Sequence, residues 1–254
     1  MKITIIFAMG FLAGVFSTAA GASPETIRFL TYHNSPPFII DKELKLGATY
    51  ELAEYLTQNS NGKYIFQTQV LPRNRLNKEI SVNCRCVIPW VNPLWFGDKN
   101  LKKYKWTTDY ASGSNAVVSS IHQRFEYAGP ESLFGKTTSA LRGTVWVGLG
   151  KHIKEGRIAH IEVDSFLSSL KLVQAGRADV TIIPTSMAKY LVAENRLAGF
   201  FHFSTKPHQI FLRHFLIATS DSQKNRILQE YIQTVTPYLK DSPEWKARMA
   251  RYGL

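Results

Sequence analysis

The sequence predicts an α/β protein whose two lobes face one cleft, and two stretches carry that prediction. Residues 165–184 read SFLSSLKLVQAGRADVTIIP. Phe166, Leu167, Leu170 and Val173 fall at helical spacing and give one apolar face. Asp164 or Ser165 can cap that helix, and Gly176 sits where a helix commonly stops. After a tight turn, Val180, Ile182 and Ile183 form a short apolar run of the buried-strand kind. Pro184 closes it, because proline cannot donate to a ladder. Thr185 or Ser186 then caps a helix to about Glu194. In such sheets the carboxyl ends of strands face the ligand crevice, so Pro184 and Thr185 are expected at a site. A fainter copy lies upstream: a helix over 71–80, a strand over 84–88, and Pro89 at its end.

The remaining elements follow in order. Residues 26–32 read as the opening strand, and 34–37 as a loop, since adjacent prolines bar helix and sheet. Phe38, Ile39 and Ile40 make a short apolar strand, and 41–45 a turn. An amphipathic helix over 47–58 turns Ala48, Leu52, Ala53 and Leu56 inward, and an alternating strand follows over 64–70. The strand with the cysteines leads into an aromatic-rich loop over 90–98. Residues 104–110 are extended and run into Ala116, Val117 and Val118, the first crossover between lobes. The second lobe opens with a turn and strand over 133–141. Arg142, Gly143 and Thr144 then lead toward a helix, and a glycine at such a junction leaves N–H groups suited to an anion. Further strands are expected over 158–163 and 199–203, and the return crossover over 211–218. Ser220 or Asp221 caps a helix carrying Ile227, Leu228, Tyr231, Ile232 and Val235. Pro243 opens a last helix with Trp245 and Met249, ending near Gly253.

The expected division is a leader over 1–22, the first lobe over 23–116, the second over 117–211, and a return to the first over 212–254. The leader rests on Lys2, the apolar run over 3–16, and Ala20-Gly21-Ala22 before Ser23-Pro24. That is the pattern of a cleaved secretory signal, so the mature chain is expected in the periplasm of a Gram-negative cell. No later run is long and apolar enough to span a membrane. Apolar content of 44%, with 12% aromatics, supports a packed core and excludes disorder. The net charge is +12, but lysine and arginine are scattered and no nucleic-acid module is present, so no nucleic-acid partner is expected. Cys84 and Cys86 are the only cysteines. On a strand they share a face, where a disulfide and two buried thiols both fit. No histidine pair is spaced to complete a metal site, and no cofactor is expected.

These pieces resemble the family 3 extracellular solute-binding proteins, the receptors of polar amino-acid ABC importers. The likeness rests on Pro37-Phe38, on the GATYELA helix over 47–53, on LFGK over 133–136, on LRGT over 141–144, and most specifically on QAGRADV over 174–180. It implies the type II periplasmic-binding-protein fold, two α/β lobes joined by two crossover strands. It also implies a monomer closing on a small-molecule ligand and delivering it to an inner-membrane ABC permease. Two family features are missing. Gly97 falls near the arginine that pairs with an amino-acid α-carboxylate, and Pro184 stands where an aspartate would meet the α-ammonium. A buried charge without a partner is costly, which puts an ordinary α-amino acid in doubt; the expected ligand is a small polar or anionic/aromatic solute, amino-acid-like or a related metabolite.

Aromatic and basic groups remain near the expected cleft. Tyr32, Phe38, Trp90 and Trp95 could stack on a planar ligand. Arg73, Arg75 and Arg142, beside Gly143 and Thr144, could supply bidentate donors, and Asn92 both donates and accepts. His33 reads as a surface histidine. Two alternatives stand beside solute capture: an exported enzyme of cyclohexadienyl dehydratase type, with Asp98 the nearest acid, and a sensory module acting in trans.

Overall fold

The structure, a computed structural model, describes residues 23–82, 84–144, 146–219 and 222–254. The leader expected over 1–22 lies outside the described residues, as do Ser220 and Asp221.

In the first half of the sheet, β1 (Glu25–Thr31) is central to β2 (Tyr64–Val70) and β3 (Cys86–Val91), both parallel to it. Helix α1 (Ala48–Gln58) follows β1, and α2 (Arg73–Ser81) follows β2. The alternation of the strands divides their side chains between two cores. Ile27, Phe29 and Val87 pack with Leu52 and Leu56 of α1; Leu30, Cys86 and Ile88 pack with Leu76 and Ile80 of α2. After β4 (Lys105–Trp106) the chain enters β5 (Ala111–Ser120) and the second half. There β6 (Thr137–Leu141) lies parallel to β7 (Ala159–Val163) and to β8 (Val180–Pro184). Helices α3 (Gly150–Lys154), α4 (Phe166–Gln174) and α5 (Thr185–Glu194) and the short strand β9 (Phe201–Phe203) complete it. Strand β10 (Gln209–Ala218) returns, and α6 (Gln223–Asp241) and α7 (Pro243–Ala250) pack Leu228, Ile232, Trp245 and Met249 on the α1 side of the first core.

The strand order is β2-β1-β3-β10-β5-β8-β6-β7, with β4 on β10 and β9 on β5. Two continuous strands therefore carry the join. Residues 111–115 of β5 pair antiparallel with 209–213 of β10. Beyond Asn115, β5 pairs with β8; beyond Arg213, β10 pairs with β3.

Several local expectations change. Phe38, Ile39 and Ile40 form no strand: the Phe38 and Ile39 amides both donate to the Ser35 carbonyl at 3.1 Å, closing a turn after the cis Pro36–Pro37 peptide. Pro89 does not end its strand. Ile88 faces Leu216 and Val91 faces His214, so Pro89 and Trp90 together oppose Phe215. This is a β-bulge, a place in a sheet that tolerates proline, and Trp90 takes the left-handed conformation (φ 64°) within it. Helix α2 begins at Arg73 because Pro72 occupies the cap position. The stretch after Thr144 reaches only the five-residue α3. Ser165 caps α4, accepting from the Ser168 amide, whereas α5 has no side-chain cap: Pro184 precedes it, and the Thr185 hydroxyl is bonded to Ser114. Ser222 caps α6. Cys84 and Cys86 are bonded to one another, their Cα atoms 5.3 Å apart.

Candidate functional site

A cavity of about 190 Å³ lies where the two halves meet. The turn after β1 contributes His33, Ser35, Pro36 and Phe38, and the loop after β3 contributes Trp95. The joining strands contribute Asn115, Gln209, Phe211 and Arg213. The second half contributes Phe166 at the start of α4, Pro184 at the end of β8, and Met187 of α5. Both residues where a joining strand changes partner, Asn115 and Arg213, thus face the same space.

Arg213 dominates the electrostatics. It is 3% exposed, and among the described residues its side chain makes one hydrogen bond, from Nη1 to the Trp90 carbonyl at 2.6 Å. Its Nε has no partner. The guanidinium carbon stands 4.8 Å from the Phe38 ring centre, 5.0 Å from Phe211 and 5.9 Å from Trp95. Among the described residues no carboxylate pairs with it. Burial drives its pKa down to about 10, and only the Tyr110 and Tyr32 phenols pull the other way. A buried guanidinium with three rings around it and free donors is a standing site for an anion.

The Trp90 carbonyl holds a second group. His33 Nε2 lies 3.2 Å from that oxygen, and a carbonyl only accepts, so Nε2 carries the hydrogen. Burial, helped by the nearby Arg213 charge, lowers the His33 pKa to about 3, so the ring is neutral and Nδ1 is left as an acceptor. The bulge creates this arrangement. It frees the Trp90 carbonyl from the ladder, while the Trp90 amide donates to the Tyr110 hydroxyl at 2.8 Å.

Of the residues expected at the site, Phe38, Trp95 and Pro184 line the cavity. Trp90 does not. It is 1% exposed, its indole N–H donates to Thr49, and its ring backs Phe38 at 5.4 Å. Tyr32 lies behind His33, the two rings 4.3 Å apart, and burial raises its pKa. Arg73 is held within the first half, over the rings of Phe96 (4.0 Å) and Tyr32 (4.6 Å), and donates to the Trp95 carbonyl at 2.5 Å. It supports the Trp95 loop instead of meeting a ligand. Arg75 is exposed on α2. Asn92 is a structural residue: its amide donates to the Leu212 carbonyl and its oxygen caps the turn at Leu94. Arg142 is 64% exposed and pairs with Glu162 and Asp164. The anion-binding role expected for its turn is filled from within, since the Gly143 amide donates to Glu162 and the Thr144 amide to Leu141. Thr185 lines an adjacent cavity of about 300 Å³ that also reaches Arg213. Asp98, 4% exposed, accepts from the Lys102, Lys103 and Tyr104 amides and the Trp106 indole, away from the cavity.

The sequence reading missed Arg213 and took His33 for a surface group. A signal for Arg213 was present: the Arg-His pair interrupts the run from Gln209 to Ala218, in a strand otherwise apolar enough to be buried.

No protein-family profile and no curated protein sequence matches this chain. Solved structures do. The P235GK mutant of the arginine-binding protein of T. maritima has a TM-score of 0.61 at 18% identity, covering 90% of this chain and 95% of that one. A structure concerned with glutathione import in Gram-positive bacteria via GshT and the cystine ABC importer TcyBC of Streptococcus mutans scores 0.65 at 16% identity, covering 90% and 95%. A histidine kinase sensor domain with similarity to periplasmic binding proteins scores 0.64 at 16%, covering 91% and 96%. The likeness is one of fold: this chain has the type II periplasmic-binding-protein architecture of two α/β lobes.

Proposed function

We propose that this protein captures a small anionic solute between its lobes, in the periplasm, and hands it to an ABC-type importer. Arg213 carries the reading. A buried cation without a counter-charge, in a cavity walled by both halves, is explained by a ligand that brings the negative charge with it. A ligand touching both halves favours the arrangement in which they meet, which is how binding proteins of this architecture signal occupancy. Delivery to an importer is supported by the neighbour whose structure concerns glutathione import and an ABC importer. Among the described residues no helix is long and apolar enough to cross a membrane.

Catalysis is the weaker reading. Asp98, the acid on which a dehydratase role would depend, is committed to four hydrogen bonds in its own loop. The sensor-domain neighbour favours one further reading, in which the same capture is reported to a partner protein instead of a permease.

Calorimetric titration with small carboxylates, phosphates, amino acids and sugars tests the proposal. An anion at ~100 times its Kd should stabilise the protein by about 2.7 kcal/mol. A flat response across the anions, with neutral sugars binding instead, would refute it.

A further inference from the structure

Resting on that reading, we infer that the occupant is a single-ring aromatic carboxylate carrying a ring hydroxyl, and not an α-amino acid. Three observations converge on this class.

The first is charge. Arg213 is the one permanently charged side chain lining the cavity, and none of the lining residues is an acid. A carboxylate can take the guanidinium Nη donors of Arg213 that the Trp90 carbonyl leaves unused, with Nε buried behind them. An α-ammonium group would enter the same space with no counter-charge and a guanidinium beside it, which is strongly unfavourable in a desolvated site.

The second is shape. Phe38, Trp95, Phe166, Met187 and Phe211 give the cavity apolar walls drawn from both halves and suited to a flat ring, and Ser35, Asn115 and Gln209 add uncharged polar groups beside them. The volume of about 190 Å³ is that of one ring with a substituent. For scale, an engineered cavity of ~150 Å³ takes benzene.

The third is the acceptor. His33 lines the cavity, and its bond to the Trp90 carbonyl fixes the hydrogen on Nε2. Nδ1 is then a neutral acceptor. It suits a hydroxyl donor on the ligand and repels nothing, whereas a second carboxylate would meet a lone pair there.

The experiment is a titration of the purified protein with benzoate, 3- and 4-hydroxybenzoate, phenylalanine, arginine and glutamine, read by calorimetry and by quenching of tryptophan fluorescence. The expected result is saturable binding of the aromatic acids, with one hydroxybenzoate at least about 10-fold tighter than benzoate. His33→Phe should remove that difference, read as the ratio of hydroxybenzoate to benzoate affinity in the same variant. Binding of the amino acids without the aromatic acids would overturn the inference and the anionic class, while leaving solute capture between the lobes standing. Equal binding of benzoate and both hydroxybenzoates would overturn the role given to His33. Silence from every carboxylate would remove the underlying reading as well.

Discussion

Replacing Arg213 with methionine separates a ligand anchor from a structural strut. The side chain is 3% exposed, and burial lowers its pKa to about 10. The folded state therefore disfavours the charge, by an amount on the order of a few kcal/mol. Because the folded pKa lies below the unfolded one, this penalty is complete at neutral pH and fades only as pH rises above about 10. Methionine removes it, but gives up the Nη1 bond to the Trp90 carbonyl, worth about 1.5–3 kcal/mol for a charged donor. Part of the contact with Phe38, Trp95 and Phe211 survives as sulfur–aromatic packing. The two large effects nearly cancel, so the ligand-free variant should unfold within about 1 kcal/mol of wild type. Affinity should fall at least ~30-fold, since truncating one partner of a desolvated charged contact costs roughly 2–5 kcal/mol. Thermal unfolding without ligand, beside calorimetry with the tightest carboxylate, measures both. A stability loss above ~3 kcal/mol with affinity intact would refute the reasoning and make Arg213 a strut for the bulge.

Three further outcomes follow from the same geometry. His33 titrates near 3 when folded and 6.5 when unfolded, so its contribution is complete above 6.5 and lost as pH falls; between pH 7 and 5 it should remove about 2 kcal/mol, a slope absent from His33→Phe in paired denaturant titrations. Gly47→Ala should destabilise by ~2 kcal/mol or more in chemical denaturation, because φ is 131° there and the new Cβ would lie 2.5 Å from the Phe38 carbonyl oxygen; ligand affinity should fall with it as the Phe38 turn shifts. Asp98→Asn should cost about 1–3 kcal/mol in thermal unfolding, because an amide cannot accept all four bonds the carboxylate accepts. That variant should keep ligand affinity, and a loss of affinity at unchanged stability would move Asp98 into the site.

The elements were legible where a local pattern decides them. Helix α4, its serine cap and the strand ending at Pro184 follow from periodicity and one hydroxyl. Pro184 was found for the same reason, as the end of a strand, and Phe38 and Trp95 were found as aromatic side chains near the expected cleft. The misses are tertiary. Arg142 stands beside the expected glycine turn, yet Glu162 and Asp164 of the neighbouring strand and loop reach it first. Trp90 follows the expected proline, but the bulge turns its ring into the core and only its carbonyl toward the site. Arg213 interrupts an apolar strand in the sequence, but its place at the cavity follows from β10 leaving β5 for β3 at that residue.

That change of partner bears on how such a cavity would empty. Two unbroken backbones link the halves, and each has a pivot one or two residues long: Asn115 in one, Arg213 and His214 in the other. Any separation of the halves then twists these two axles. A molecule seated against both pivots acts as a brake on that torsion, so its residence time and the stiffness of the two axles become one quantity.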